Sequence, residues 1–309
     1  MITTVTLNAA IDKTYFIPSF KAEHVNRVQQ MYSEPGGKGI NVAKVLHALG
    51  VDVTATGYVG GYTGQFIAAS LKNRGVKQQF VSVEGESRLC LNVIDETGGT
   101  QTEILETGPV ISKKKWEELT EEITSLAGKS EFVVFSGSLP RGLSDDAYAL
   151  LTRIVHQHQA KPVVDTSGSA LIKALAEKPF MIKPNRDELA AVMKKDRMTE
   201  SDILHTMESW SKQGISLVVV SLGRDGALVA YEGEYYKVVP PAIEAVNPVG
   251  CGDAMVAGMV AGLSANLAIE ETLALSTAAA AANALERQAG CVSLDTIDVL
   301  RKKVRIWRL

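Results

Sequence analysis

The chain has 309 residues, enough for about two domains of roughly 150 residues or one large α/β domain with insertions. Hydrophobic residues make up 46% and charged residues 22%, the balance of a globular protein with a full core. The 32 Lys and Arg stand against 35 Asp and Glu, a net of −3. That excludes the broad basic field of a nucleic-acid binder but allows a local basic pocket.

In chain order, residues 1–12 lack a basic segment followed by an apolar one, so no secretory leader is expected. Residues 12–34 and 86–108 read as alternating strands and turns, such as Leu89-Cys-Leu-Asn-Val-Ile94 before Thr97-Gly-Gly99. We read both segments as insertions forming a small β lid on a single α/β body that spans residues 1–309. The alternative is an edge hairpin with no gating role. Between the two lies Gly36-Gly-Lys-Gly39, then Asn41 and a helical stretch over residues 42–49. It is not a Walker loop, because no Ser or Thr follows Lys38, and no GxGxxG dinucleotide fingerprint follows a strand.

The middle of the chain has a clear rhythm. Phe132-Val-Val-Phe135, Pro162-Val-Val164, Met181-Ile182 and Leu217-Val-Val-Val220 are short apolar runs that end in polar or glycine-containing turns. Such runs suit parallel strands buried on both faces, and the helical periods at residues 145–157 and 200–214 supply crossovers. The expected architecture is a doubly wound, three-layer α/β sheet. Its turns at Ser136-Gly-Ser138, Asp165-Thr-Ser-Gly168, Lys183-Pro-Asn185 and Ser221-Leu-Gly223 should face one crevice at the carboxyl ends of the strands. The last third, residues 253–263 and 270–285, is rich in Ala and Gly and reads as closely packed helices.

Gly250-Cys-Gly-Asp253 opens one of these helices. Glycines let backbone N–H groups approach a ligand, and the helix start adds partial positive charge, a combination suited to a phosphoryl group in transfer. A carboxylate in that first turn, Asp253, can take a proton from an attacking hydroxyl. The same tetrapeptide also reads as a plain turn with Asp253 capping the helix. Cys90, Cys251 and Cys291 are far apart and odd in number, which fits neither a disulfide framework nor a CxxC metal site. The five histidines form no constellation; His156 and His158, two apart, cannot share a helix face.

Taken in order, Leu7-Asn-Ala-Ala-Ile-Asp12, Gly36-Gly-Lys-Gly-Ile-Asn41, Ser136-Gly-Ser-Leu-Pro140, Lys183-Pro-Asn-Arg-Asp-Glu188, Ser221-Leu-Gly223 and Asn247-Pro-Val-Gly-Cys-Gly-Asp253 form a specific set. From end to end the chain resembles the PfkB group of ribokinase-like sugar kinases, within it the tagatose-6-phosphate kinase and 1-phosphofructokinase branch. Gly85-Glu-Ser-Arg-Leu-Cys90, Gln101-Thr-Glu-Ile-Leu-Glu106 and Val246-Asn-Pro-Val-Gly250 lean towards the first of these.

The resemblance implies Asp253 as catalytic base and the backbone of Gly250, Cys251 and Gly252 as anion hole. It places the sugar on Asp12, Gly37, Lys38 and Asn41, with Arg88 of the lid on the phosphate the substrate already carries. Lys183, Asn185, Ser221, Gly223, Gly226 and Asn283 fall where ATP binds, Asn283 near the adenine. Asn185 and Glu188 form the Asn-x-x-Glu motif associated with Mg2+, acting through water. Three apart, they share a face at a helix start, and oxygen donors suit magnesium. Arg27 is a further candidate for the substrate phosphate, or else a solvated surface arginine.

Four positions depart from the family pattern. Ala9 stands for a proline, Cys251 for Ala or Ser, and Asn247-Pro248 for the Asp-Thr pair that ribokinase relatives use around a monovalent cation. The last change removes the sequence basis for expecting potassium dependence.

The implied reaction is ATP-dependent phosphorylation of a ketohexose monophosphate to the bisphosphate, with tagatose 6-phosphate as first candidate acceptor. The alternatives are fructose 1-phosphate as acceptor and a non-catalytic sugar-phosphate sensor. The expected partner is a small sugar phosphate, with no nucleic acid and no membrane. A homodimer through the lid and a cytoplasmic location complete the expectation.

Overall fold

A computed structural model describes all 309 residues. The chain opens with β1 (Ile2–Thr6), β2 (Ala10–Ile17), β3 (Gln30–Gly36), α1 (Lys38–Ala48), β4 (Val53–Gly60) and α2 (Gly61–Asn73). Next come β5 (Lys77–Val83), β6 (Arg88–Asp95), β7 (Thr100–Leu105), α3 (Lys113–Ala127), β8 (Phe132–Ser136) and α4 (Ala147–Gln157). They are followed by β9 (Lys161–Asp165), α5 (Gly168–Leu175), β10 (Met181–Ile182), α6 (Arg186–Val192), α7 (Glu200–Lys212) and β11 (Leu217–Ser221). The last are β12 (Ala227–Tyr231), β13 (Glu234–Val239), α8 (Cys251–Ser264), α9 (Ile269–Ala284), α10 (Leu294–Arg301) and β14 (Arg305–Arg308).

Ten strands form the main sheet in the order β14-β13-β12-β11-β10-β9-β8-β1-β4-β5. From β11 to β5 every pairing is parallel; β12, β13 and β14 extend one edge in antiparallel fashion. Strand pleating explains the apolar runs. Phe132, Val134, Leu217 and Val219 enter one core with residues of α1, α8, α9 and α10. Val133, Phe135, Val218 and Val220 enter a second core with α3, α4, α5, α6 and α7. Successive side chains point to opposite faces, so a strand covered on both sides is apolar throughout. The three layers expected from the sequence are therefore present.

The segments read as a lid supply a separate four-stranded sheet, β3-β2-β6-β7. Within it β2 and β6 are parallel and the two outer pairs antiparallel. The structure differs from the sequence reading in two elements. Helix α1 starts at Lys38, directly after Gly37 at φ +97°, rather than at residue 42. The antiparallel edge was not anticipated, because β14 is a short rim strand, two apolar residues between two arginines, and lacks the buried-strand signature. No helix is long and apolar enough to cross a membrane.

Candidate active site

A cleft of about 400 Å³ lies between the carboxyl ends of the parallel strands and the small sheet, the position at which open α/β sheets bind ligands. From the large sheet it receives Asp165 at the end of β9, Lys183 beyond β10, Asn185 and Glu188 at the start of α6, and Ser221 and Gly223 after β11. The small sheet contributes Asp12 and Arg88. The starts of α1 and α8 bring Gly37, Lys38 and Asn41 and then Gly250, Gly252 and Asp253.

Helix α8 begins after Gly250, whose backbone is left-handed at φ +84°. No side chain caps the helix, so its first N–H groups are left for a ligand. The Cys251 amide is drawn to the Pro248 carbonyl at 3.4 Å, which leaves Gly252 and Asp253 as the better placed donors. The Cys251 side chain turns away from the cleft towards Asn283, 3.6 Å from its amide nitrogen. A side chain at Gly252 would meet the Lys183 ammonium at 3.2 Å, so glycine is what lets a cation approach the helix start.

Asp253 is 6% exposed and accepts a hydrogen bond from Asn41 Nδ2 at 2.9 Å. Its carboxyl is raised to about 7, by burial first and by the Asp165 charge as well. Lys38, the Asn41 hydrogen bond and Lys183 pull in the other direction. A carboxyl poised near neutrality matches the demand on a general base.

Fixed cations flank this acid. Lys38 Nζ lies 3.4 Å from Asp165 Oδ1 and 3.7 Å from Glu188 Oε1, and Asp165 above all holds its pKa above the ordinary lysine value. Lys183 Nζ is 3.4 Å from the other oxygen of the fully buried Asp165. One carboxylate therefore aligns two ammonium groups on the cleft floor. On the small sheet, Arg88 Nε donates to the Asn8 carbonyl at 3.1 Å, and its terminal nitrogens have no protein partner. That arrangement anchors the guanidinium and leaves its fork for a phosphate. Asp12 is raised by burial and held down chiefly by Lys44 and Arg88, with help from the Gly37 amide and Asn41.

Asn185 and Glu188 form a reciprocal capping box: Glu188 N–H donates to Asn185 Oδ1 at 2.7 Å and Asn185 N–H to Glu188 Oε2 at 2.9 Å. The motif thus has a structural task at the start of α6. No cluster of three or more His, Cys, Asp or Glu forms a metal cage. The carboxylates left near a magnesium ion are Glu188, whose Oε1 pairs with Lys38 at 3.7 Å, and Asp165, whose buried Oδ2 faces Lys183 at 3.4 Å without a hydrogen bond. That donor set fits an ion that keeps most of its water and leans on phosphate oxygens.

Several expected residues lie elsewhere. Asn283 is fully buried behind the cleft and donates to the Val249 carbonyl at 2.8 Å while accepting from Gly290 N–H at 2.7 Å. It braces the loop that leads into α8 and is not part of the cleft lining. Gly226 sits behind Gly223 against the Val238 carbonyl, outside the cleft lining. Arg27 is exposed on the loop between β2 and β3 and is absent from the cleft.

Conversely, Asp165 was read only as part of a turn, yet it organises both lysines. Asn92 on β6 also went unnoticed; it lines the cleft with both amide atoms unpaired. Its alternation with Arg88 and Cys90 on one strand was the available signal.

A buried carboxylate at a glycine-opened helix start, flanked by lysines, suits phosphoryl transfer to an alcohol. Residues 5–296 match the model of the pfkB family carbohydrate kinases. Tagatose-6-phosphate kinase of Staphylococcus epidermidis is 38% identical over 311 residues, covering 99% of both chains. Among solved structures, phosphofructokinase-2 from Escherichia coli in complex with fructose-6-phosphate superposes with a TM-score of 0.90 at 30% identity, over 98% of each chain. A possible 1-phosphofructokinase from Thermotoga maritima gives 0.89 at 28% identity, over 100% of this chain and 99% of that one. The chain belongs to the PfkB carbohydrate kinases and is a sugar-phosphate kinase; enzymes of this family use ATP.

Proposed function

We propose that the enzyme transfers the γ-phosphoryl group of ATP to the free primary hydroxyl of tagatose 6-phosphate, giving the 1,6-bisphosphate. The observation that carries the reading is Asp253, buried at the open start of α8 with Lys38, Lys183 and Asn41 around it. In this account Asp253 takes the hydroxyl proton as the substrate oxygen bonds to the γ-phosphorus. The bond from that phosphorus to the β,γ-bridging oxygen breaks, and ADP leaves with the electron pair. The free amides at the start of α8 and the Lys183 ammonium face the charge that spreads over the γ-oxygens. Asp12 and the α1 start orient the sugar, and Arg88 holds its 6-phosphate.

Magnesium would be held by Glu188 and Asp165 through its water and would supply positive charge to the β- and γ-phosphates. The 38%-identical tagatose-6-phosphate kinase supports this acceptor. The likeness to a phosphofructokinase-2 crystallised with fructose-6-phosphate supports a cleft that takes a 6-phosphate. Fructose 1-phosphate is the competing acceptor, since it also presents a primary hydroxyl at the far end from its phosphate.

A coupled assay of ADP release tests the choice across tagatose 6-phosphate, fructose 1-phosphate, fructose 6-phosphate and ribose. The highest kcat/KM is expected for tagatose 6-phosphate. A higher value for fructose 1-phosphate would transfer the assignment to 1-phosphofructokinase.

A further inference from the structure

Lys44, on α1 one turn beyond Asn41, is only 5% exposed and belongs to none of the roles above. Its ammonium has three N–H donors and three oxygen acceptors: Ala289 O at 2.6 Å, Pro35 O at 3.1 Å and Asn41 Oδ1 at 3.2 Å. These acceptors come from three different parts of the fold. Pro35 is the penultimate residue of the lid strand β3, Asn41 lies on α1, and Ala289 follows α9. Gly290 is packed so tightly here that a side chain would meet both Asn41 Oδ1 and Lys44 Cε at 2.8 Å.

Two hydrogen-bond chains run from this ammonium to the reaction centre. In one, Lys44 holds Asn41 Oδ1, and Asn41 Nδ2 then donates to Asp253 at 2.9 Å. In the other, Lys44 holds Ala289, and the adjoining Gly290 N–H meets Asn283, which grips Val249 immediately before Gly250. We propose that Lys44 is a positioning residue for phosphoryl transfer. Its ammonium fixes the Asn41 amide with its nitrogen towards Asp253 and clamps the loop that shapes the start of α8. The inference rests on Asp253 being the base.

Acidic groups oppose the effect of burial on this cation. Glu34 of β3 lies 3.9 Å away and is itself paired with Arg74 at the end of α2. Asp12 of β2 and Cys291 beyond α9 also face it. Burial lowers the Lys44 pKa from the ordinary lysine value, Arg74 lowers it further, and Cys291, Glu34 and Asp12 oppose the fall. Around Asp253 the charged groups are Lys38, Asp165 and Lys183.

The test compares Lys44→Met, Lys44→Ala and Lys44→Arg with the unaltered enzyme, with thermal melts as fold control. Misplacing the base and the helix start should lower kcat of Lys44→Met by about ten- to a hundredfold. KM for ATP should stay within about threefold, since Lys44 bonds to none of the residues assigned to the nucleotide. With the Asn41 donor loosened, the acidic limb of kcat should move up by about half to one pH unit.

Ammonium chloride should restore part of the activity of Lys44→Ala saturably, and sodium chloride at equal ionic strength should not. Lys44→Arg should recover most of the kcat lost in Lys44→Met and return the limb to its original pH. The proposal is overturned if Lys44→Met turns over normally with an unmoved limb. It is equally overturned if activity falls only in step with melting temperature and ammonium has no effect. Should Lys44→Met not fold, an Arg variant that folds with its limb displaced overturns it as well. Asp253→Asn is assayed alongside, because normal turnover there removes the base itself, a failure distinct from that of Lys44.

Discussion

With Asp253 as the proposed base, a carboxyl raised to about 7 should set the pH behaviour of the enzyme. As a base, Asp253 works only when ionised, so kcat/KM should fall below about pH 7 with a slope of one. Lys38 is the strongest of the influences that lower its pKa, so Lys38→Met should move this limb to higher pH. The stability effect has the opposite sense. The folded pKa lies above the ordinary 3.8, so the neutral form is favoured in the fold. That contribution is fully present below about 3.8 and is lost as pH rises through about 7. Asp253→Asn, always neutral, should therefore match the parent enzyme in thermal melts near pH 4 and exceed it increasingly towards pH 8.

Arg88 makes a separate prediction. Its anchored guanidinium has a free fork, and Arg88→Ala should raise KM for the sugar phosphate by at least about tenfold, the loss of a charge-assisted contact. KM for ATP should barely change; an equal rise for both would make Arg88 structural. At this scale the sequence shows what has local grammar. Asp253 is legible because two glycines and a helix start surround it. Asp165 is not, because a strand-end Asp acquires its meaning only when β10 and α1 deliver Lys183 and Lys38 to its two oxygens.

Among the elements, the α8–α9 pair supports the reaction centre from behind. A side chain at Gly258 would approach Ser276 Cα to 2.6 Å, and one at Gly262 would meet Thr272 Oγ1 at 2.7 Å. The helices thus cross on small residues, and Asp253 rides at the start of one of them. Gly258→Ala should destabilise the protein by about 1–3 kcal/mol, the cost of overpacking a close contact. A denaturant titration with an unchanged midpoint would contradict this packing. The parallel strands and their crossover helices were readable because burial on both faces writes an uninterrupted apolar run. The antiparallel edge was not, since β13 and β14 mix charged, aromatic and aliphatic residues, and β14 reaches β13 only from far along the chain.

For the whole molecule, the small sheet is where a second copy is expected to pair. Every residue of β7 is exposed, Ile104 at 55% and Met31 of β3 at 56%. Such an open edge and apolar surface favour pairing with a second copy. The expected result in analytical ultracentrifugation is a dimer that Ile104→Glu shifts towards monomer. A monomeric parent enzyme would remove the lid dimer from the account. The sequence could signal the lid through its alternation, but an assembly surface is a property of what the fold leaves uncovered.

The most direct measurement is the turnover of Asp253→Asn with saturating ATP and tagatose 6-phosphate, alongside equilibrium binding of each. The account predicts kcat at least about a hundredfold lower with both affinities little changed. A folded variant that turns over at nearly the original rate would contradict it.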